Sequence, residues 1–86
     1  PNNVCADIYL NKIKVKPIFK WLKKRGVSDF EMLKTFNCGV GFCIITKKKN
    51  ITKIKKYFSS DFKPYVIGHF IQNQKNKIIF NEKIRW

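Results

Sequence analysis

The segment between residues 35 and 41 contains groups that could hold an anion or an amide. The hydroxyl of Thr35 and the carboxamide of Asn37 can both exchange hydrogen bonds with a substrate. Gly39 and Gly41 carry no Cβ, so the backbone N–H groups around them could approach a phosphate closely. We therefore predict Thr35, Asn37, Gly39 and Gly41 as substrate-binding candidates, and we assign no catalytic residue and no metal ligand.

The same two glycines also have a purely structural interpretation. They follow a helical pattern, whereas an anion site that uses the helix dipole lies at a helix N-terminus. The G-x-G spacing is too short for a Walker or a dinucleotide-binding motif. A helix C-cap followed by a closely packed strand explains both glycines. The residues alone favour this interpretation and leave the binding role open.

The three cysteines, Cys5, Cys38 and Cys43, do not form a metal-site or disulfide pattern. Their number is odd, no C-x-x-C occurs, and the single histidine, His69, is far from them in the sequence. A structural zinc site needs four ligands at closer spacing. We expect buried free thiols and hence a reducing, cytoplasmic location. The pattern gives His69 no defined role.

The charge balance raises the alternative of a free-standing basic module that binds nucleic acid. With 19 basic and 5 acidic residues, the formal net charge is +14, and phosphate neutralisation requires Lys and Arg. Only Arg25 and Arg85 are arginines, although base and bidentate phosphate recognition favour Arg. The abundance of Lys, Asn and Ile is also typical of an A/T-rich genome. Such a module would need exposed aromatic side chains on adjacent strands, and the candidates are Tyr9, Phe42, Tyr65 and Phe80.

The length of 86 residues corresponds to one domain at most, and its own stability would be marginal. The apolar share of 44% and the aromatic share of 15% are typical of a packed core. No apolar run approaches the ~20 residues of a membrane span, so we expect no membrane partner.

The first half of the chain predicts one strand followed by two helices. Alternating apolar residues favour a strand at 4–10. A helix follows within 15–26, where Pro17 suits the first turn and Gly26 the left-handed end. A second helix within 28–37 begins with a capping box of Ser28 and Glu31. The apolar positions expected to face the core are Ile18, Phe19, Trp21 and Leu22 in the first helix, and Phe30, Leu33 and Phe36 in the second.

The second half predicts three strands and one helix. The run at 42–46 is short, apolar and β-branched, which favours a central strand. A third helix within 51–60 should bury Ile51, Ile54, Tyr57 and Phe58. Strands at 65–71 and 77–80 then flank a hairpin-like turn at 72–76. The fold class is α+β, in the order β-α-α-β-α-β-β, with helices packed on a mixed sheet.

Two segments together resemble a known family. "PIFKWLKKRG" and "FEMLKTFNCGVGFCIIT" are similar to the C-terminal domain of phosphoribosylformylglycinamidine cyclo-ligase, also called AIR synthetase. The most specific part is the string E-M-x-K-T-F-N-x-G-x-G, from Glu31 to Gly41. "VIGHF" and the opening "PNNVCADI", with Pro1 as the last residue of a family motif, are also similar. His69 stands where the family usually has an acidic residue.

The resemblance implies that residues 1–86 are the C-terminal part of that domain. The N-terminal ATP-binding domain and the start of this domain would lie outside the sequence, so the fragment alone should bind no cofactor and be inactive. The full enzyme uses ATP and Mg²⁺ to convert formylglycinamidine ribonucleotide into aminoimidazole ribonucleotide (AIR) in purine biosynthesis, and it is a homodimer. Selenophosphate synthetase and thiamine-phosphate kinase belong to the same superfamily, but the string T-F-N-x-G-x-G argues against both.

Overall fold

The structure is a computed structural model that describes residues 3–73 and 75–86. Pro1, which the resemblance aligns with a family motif, and Gln74, in the predicted turn, lie outside the described residues. The strands of the described part are β1 (Val4–Tyr9), β2 (Gly68–Gln72) and β3 (Ile78–Asn81). Its α-helices are α1 (Pro17–Lys24), α2 (Asp29–Thr35) and α3 (Ile51–Lys55), and short 3₁₀ helices occupy Leu10–Lys12, Lys48–Asn50 and Ser60–Phe62.

The three strands form one mixed sheet in the order β2-β1-β3. β1 pairs antiparallel with β2, with Cys5 opposite Ile71, and parallel with β3, with Ala6 opposite Ile78. This arrangement confirms the predicted α+β class with a mixed sheet. The predicted hairpin is wrong, because β2 and β3 lie on opposite sides of β1. The chain after β2 instead passes the start of β1, where the Asn73 N–H donates to the Asn3 carbonyl at 2.9 Å.

The starts and ends of α1 and α2 follow the sequence signals. Pro17 occupies the first turn of α1, and Gly26 has a φ of +97° just beyond its end, as predicted. At the start of α2, the Glu31 N–H donates to the Ser28 hydroxyl at 3.2 Å. The Ser28 half of the capping box is therefore confirmed, and one unpaired N–H of the first turn is satisfied.

Four buried residues form the main apolar core of the described part, which we call the core cluster: Leu10, Met32, Cys38 and Ile84. They come from the 3₁₀ helix directly after β1, from α2, from the chain after α2 and from the C-terminal segment. Partly buried side chains of α1 and α2 surround them, including Phe19 and Phe36, whose ring centroids lie 6.1 Å apart. The core cluster therefore joins the sheet to both helices.

Three of the predicted core positions on these helices are wrong, and the first is Ile18, which is 59% exposed. Phe30 is 71% exposed, and Met32 fills the core instead. Residues two apart on a helix point roughly 200° apart, so α2 cannot bury both Phe30 and Met32 on one side. Trp21 is 52% exposed, with the Arg25 guanidinium 4.7 Å from its ring centroid, and it is therefore not a core residue.

The predicted central strand at 42–46 is also wrong. Residues 42–46 have no regular secondary structure and make no backbone hydrogen bond to another part of the described chain. Phe42 is 84% exposed, and Cys43 is exposed as well, unlike the buried thiols of Cys5 and Cys38. The central position in the sheet belongs to β1, both of whose edges are already paired. A fourth strand could join only at the outer edge of β2 or β3.

The third helix is shorter than predicted. It ends at Lys55, so Tyr57 and Phe58 lie beyond it and are exposed, whereas Ile51 and Ile54 are half-buried. The molecule is only 18 Å thick along its shortest axis. This thickness corresponds to about two layers of packed elements, so parts of the apolar surface remain uncovered.

Candidate functional site

The segment at 35–41 begins with the last residue of α2, Thr35, and then forms a tight turn. The Asn37 side-chain oxygen accepts the Gly39 N–H at 2.9 Å, and the Asn37 carbonyl accepts the Val40 N–H at 2.8 Å. Cys38, between them, has a φ of +54°. Two of the backbone N–H groups that could have held an anion are therefore used within the turn itself.

Gly39 is required at its position because of a close approach between two parts of the chain. It has a φ of +112°, and a Cβ at this residue would lie 2.7 Å from the Lys14 carbonyl and 3.2 Å from the Lys16 Cγ. Gly41, in contrast, has nothing within 4 Å of an added Cβ. The structural interpretation therefore accounts for Gly39, and Gly41 lies in the open.

The Cys38 thiol belongs to the core cluster and is not an activated nucleophile. Its Sγ lies 3.7 Å from the Met32 carbonyl and 3.8 Å from the Phe36 carbonyl. Burial raises the pKa of the Cys38 thiol, and the negative charge of Asp29 raises it further. Because the thiolate is the reactive form, Cys38 stays a neutral, packed thiol near pH 7.

A large concave groove lies beside the turn. It has a volume of about 1700 Å³, and the chain from Gly39 to Thr46 and the chain from Pro64 to Phe70 both line it. Gly39 and Gly41 are part of its lining, whereas Thr35 and Asn37 are exposed outside it. The structure thus brings two of the four predicted site residues to one surface and leaves the other two apart.

Five lysines and one acidic residue line this groove: Lys14, Lys16, Lys48, Lys55, Lys63 and Asp61. Lys14 is fixed by its contact with Tyr65, because its backbone N–H donates to the tyrosine hydroxyl at 2.9 Å. The Lys14 ammonium also lies 4.7 Å from the Tyr65 ring centroid. Nothing in the sequence except the net charge indicated Lys14 or Lys16, since their position depends on the close approach to Gly39.

A second polar cluster lies on the sheet, around Asp7 and His69, which stand opposite each other on β1 and β2. The His69 Nε2 is 3.7 Å from one Asp7 carboxylate oxygen, and the Asn81 side-chain amide donates to the other. Tyr9 packs beside the imidazole, with ring centroids 5.6 Å apart. Asp7 is largely buried and His69 is half exposed, so the carboxylate can orient an imidazole that remains accessible to solvent.

The sequence could not identify this second cluster. Asp7 and Asn81 are 74 positions apart, and only the strand register brings them to one face. The aromatic platform of the nucleic-acid alternative, in contrast, is not assembled. Phe42 and Tyr65 lie outside the strands, and Tyr9 and Phe80 point to opposite faces, because residue 8 faces residue 80 and residue 9 faces residue 81.

An ion pair with an added hydrogen bond holds the helices to the C-terminus. The Lys23 ammonium lies 2.7 Å from an Asp29 carboxylate oxygen, which also accepts the Trp86 indole N–H at 3.0 Å. The hydrogen bond from Lys23 lowers the pKa of Asp29, and the bond from Trp86 acts in the same direction against the opposing effect of desolvation. Asp29 thus has a structural role.

Two negative findings concern only the described residues. In the ranges 3–73 and 75–86, no helix is long and apolar enough to cross a membrane. In the same ranges, no group of three or more His, Cys, Asp or Glu side chains is placed to hold a metal ion.

Comparisons with known proteins identify the family. No solved structure matches the chain at the significance that we required. The sequence model described as "AIR synthase related protein, C-terminal domain" matches residues 1–81. This match includes the core cluster up to Cys38, the turn at 35–41, the groove and all three strands. The chain therefore belongs to the family of AIR synthase related proteins, as a C-terminal domain of that family.

Proposed function

We propose that this chain is the C-terminal part of a phosphoribosylformylglycinamidine cyclo-ligase. In this role it would contribute to the ATP-dependent closure of the imidazole ring that converts formylglycinamidine ribonucleotide into AIR. The family match over residues 1–81 carries the proposal. The string from Glu31 to Gly41 supports the cyclo-ligase over other superfamily members, because it contains T-F-N-x-G-x-G.

We propose that ATP and Mg²⁺ bind in the remaining part of the enzyme. The described residues do not fit a Mg²⁺ site, since none of their acidic side chains gather in a group of three and Mg²⁺ requires oxygen ligands in octahedral geometry. On its own, this chain is expected to make no AIR.

The partners of the proposal are the rest of the enzyme, the nucleotide substrate and, in the full-length form, a second subunit. The buried free thiols of Cys5 and Cys38 support a reducing compartment, and we propose the cytoplasm. For substrate contact, Gly41 and the exposed side chains of Thr35 and Asn37 remain the candidates, since Gly39 is occupied by its packing against Lys14.

A complementation experiment tests the proposal. The 86-residue chain is combined with the N-terminal part of a characterised cyclo-ligase from which the matching C-terminal segment has been removed. AIR and ADP are then measured after addition of formylglycinamidine ribonucleotide and ATP. We expect no AIR from either part alone and AIR from the combination, because the nucleotide site and this domain are then present together.

Two results would contradict the proposal. AIR formation by the 86-residue chain alone would show that the nucleotide site lies within it. A combination that assembles and consumes ATP with selenide or thiamine phosphate, but not with formylglycinamidine ribonucleotide, would move the chain to another member of the superfamily. A Thr35→Ala, Asn37→Ala double variant of the active combination should raise KM if these side chains contact substrate.

A further inference from the structure

Among the described residues, nothing pairs with the outer edge of β2, and residues 68–70 of this strand line the groove. The Tyr9 N–H donates to the Ile67 carbonyl, and the Asn73 N–H donates to the Asn3 carbonyl. In an antiparallel pair, bonded and non-bonded residues alternate. His69 and Ile71 therefore face β1, and the N–H and C=O groups of Gly68, Phe70 and Gln72 point away from the sheet.

This edge lacks the features that normally protect a terminal strand. β2 contains no lysine, no proline and no bulge, and its register with β1 is continuous over five pairs. Proteins usually block such edges with charge, proline, a bulge or a covering element. An unprotected edge beside a groove is a template for an added strand.

Apolar side chains of both walls project into the groove beside this edge. Phe42, Ile44 and Ile45 are exposed on one wall, and Val66 and Phe70 on the other. Single exposed apolar residues are ordinary, but a contiguous patch marks an interaction site. The volume of about 1700 Å³ exceeds the roughly 300–1000 Å³ of sites for small molecules, so the groove fits a polypeptide segment better than a free nucleotide.

The charge around the groove determines which polypeptide fits. Five lysines and a single aspartate line it, and the whole chain carries a net charge of +14. A second copy would bring the same positive charge to the same surface, and like charges at an interface are strongly unfavourable. Acidic residues at the ends of an apolar segment would instead pair with the lysines.

From these observations we infer that the groove is a docking site for an extended polypeptide segment of another part of the assembly, apolar at its centre and acidic at its ends. The segment adds a strand to the outer edge of β2, and its apolar side chains cover Phe42 and Phe70. This inference goes beyond the proposed reaction and does not depend on which reaction the enzyme catalyses.

A peptide titration followed by NMR tests the docking site on the whole 86-residue chain. The probe is an extended peptide of alternating valine and threonine with aspartates at both ends. We expect its binding to slow amide hydrogen exchange at Gly68, Phe70 and Gln72, because the N–H groups of these residues become paired. A peptide with lysines in place of the aspartates should bind at least about tenfold more weakly, since every end charge then repels the groove.

Two matched controls distinguish pairing at the edge of β2 from non-specific binding of the peptide. The same acidic peptide methylated at alternate backbone nitrogens cannot pair with β2 and should not bind, and this control requires no change in the protein. Phe70→Ser should weaken binding about tenfold or more. Phe80→Ser should change binding by less than about twofold, because Phe80 is equally exposed, at 52% against 48% for Phe70, but lies on β3 outside the groove.

Several outcomes would overturn the inference. One is equal binding of the acidic and lysine peptides, and another is equal loss of binding in the two serine variants. Slow exchange at Gly68, Phe70 and Gln72 without peptide would show that residues 42–46 or a second copy already cover the edge, and sedimentation would distinguish these two. Preferential, salt-sensitive binding of single-stranded RNA at the same residues would assign the groove to nucleic acid.

Discussion

The core cluster and the groove are built from similar apolar residues, yet one is closed and the other is open. Met32 has no exposed surface, whereas Phe42, ten positions later in the chain, is 84% exposed. The residues of the core cluster lie within or beside hydrogen-bonded elements that meet at one point. The walls of the groove are mostly irregular chain that no described element covers.

The difference shows what limits burial in a small chain. Ordering a residue costs conformational entropy that only close contacts can offset, and a chain of this length has few elements to supply them. Side chains of α1, α2 and β1 contribute their contacts to the core cluster. The segment at 42–46 has the composition of a strand but makes no backbone hydrogen bond to another described part of the chain, and its apolar side chains stay exposed.

The largest expected effect comes from truncating one large apolar side chain in each region. Met32→Ala should lower the free energy of unfolding by about 2–5 kcal/mol, because it leaves a cavity in the core cluster. Phe42→Ala should change it by no more than about 0.5 kcal/mol, because the ring is solvent-exposed. Urea denaturation followed by circular dichroism measures both values.

Of the two variants, Phe42→Ala is the more decisive test of the comparison between the core cluster and the groove. A large loss of stability in Phe42→Ala would mean that the segment at 42–46 packs against the sheet in solution. The groove would then be closed in the isolated chain, and the comparison between the two regions would fail.

A smaller effect is expected from adding one methyl group at each glycine of the turn. Gly39→Ala places a Cβ 2.7 Å from the Lys14 carbonyl at a φ of +112°, and this strain should cost about 1–3 kcal/mol. Gly41→Ala meets nothing within 4 Å and should be nearly neutral for stability. If Gly41→Ala then impairs AIR formation in the reconstituted enzyme, the effect belongs to substrate contact, and not to folding.

Much of the fold followed from local signals in the sequence. The Ser28 cap, Pro17, Gly26 and the alternation around β1 act over a few residues, and the structure contains each feature. The prediction of a strand at 42–46 was wrong because a strand forms only by pairing with a neighbouring strand, and composition does not reveal whether that pairing occurs. The prediction of a hairpin was wrong for the same reason, since the position of β1 between β2 and β3 depends on the order of strands in the whole sheet.

The candidate site was less predictable than the fold. The string around Gly39 marked the right turn, but the roles of its members depend on contacts with Lys14 and Lys16, more than 20 positions away in the chain. The Asp7–His69 pair required the strand register, and the lysines of the groove were indistinguishable from the general positive charge. The family could therefore be recognised from the sequence by resemblance, whereas the positions and contacts of the site residues required the structure.

The smallest expected effect concerns the ion pair beside the core cluster, and it depends on pH. Lys23 lowers the pKa of Asp29 below its ordinary value of 3.8, so the folded state binds this proton less readily than the unfolded state. The resulting stabilisation is present above about pH 4 and is lost as the pH falls through the lower, folded-state pKa. Asp29 is about half exposed, so the contribution should be only about 0.2–1 kcal/mol.

Asp29→Asn tests this ion pair, because the amide keeps an acceptor for the Trp86 indole but carries no charge. The variant should be less stable than the parent chain at pH 6, and the difference should shrink when urea denaturation is repeated near pH 3. Lys23→Gln should show a larger loss at pH 6 and should converge only in part, since it also removes the hydrogen bond from the Lys23 ammonium to the Val27 carbonyl at 3.0 Å. A difference that persists unchanged at pH 3 would show that Asp29 acts through helix packing instead of charge.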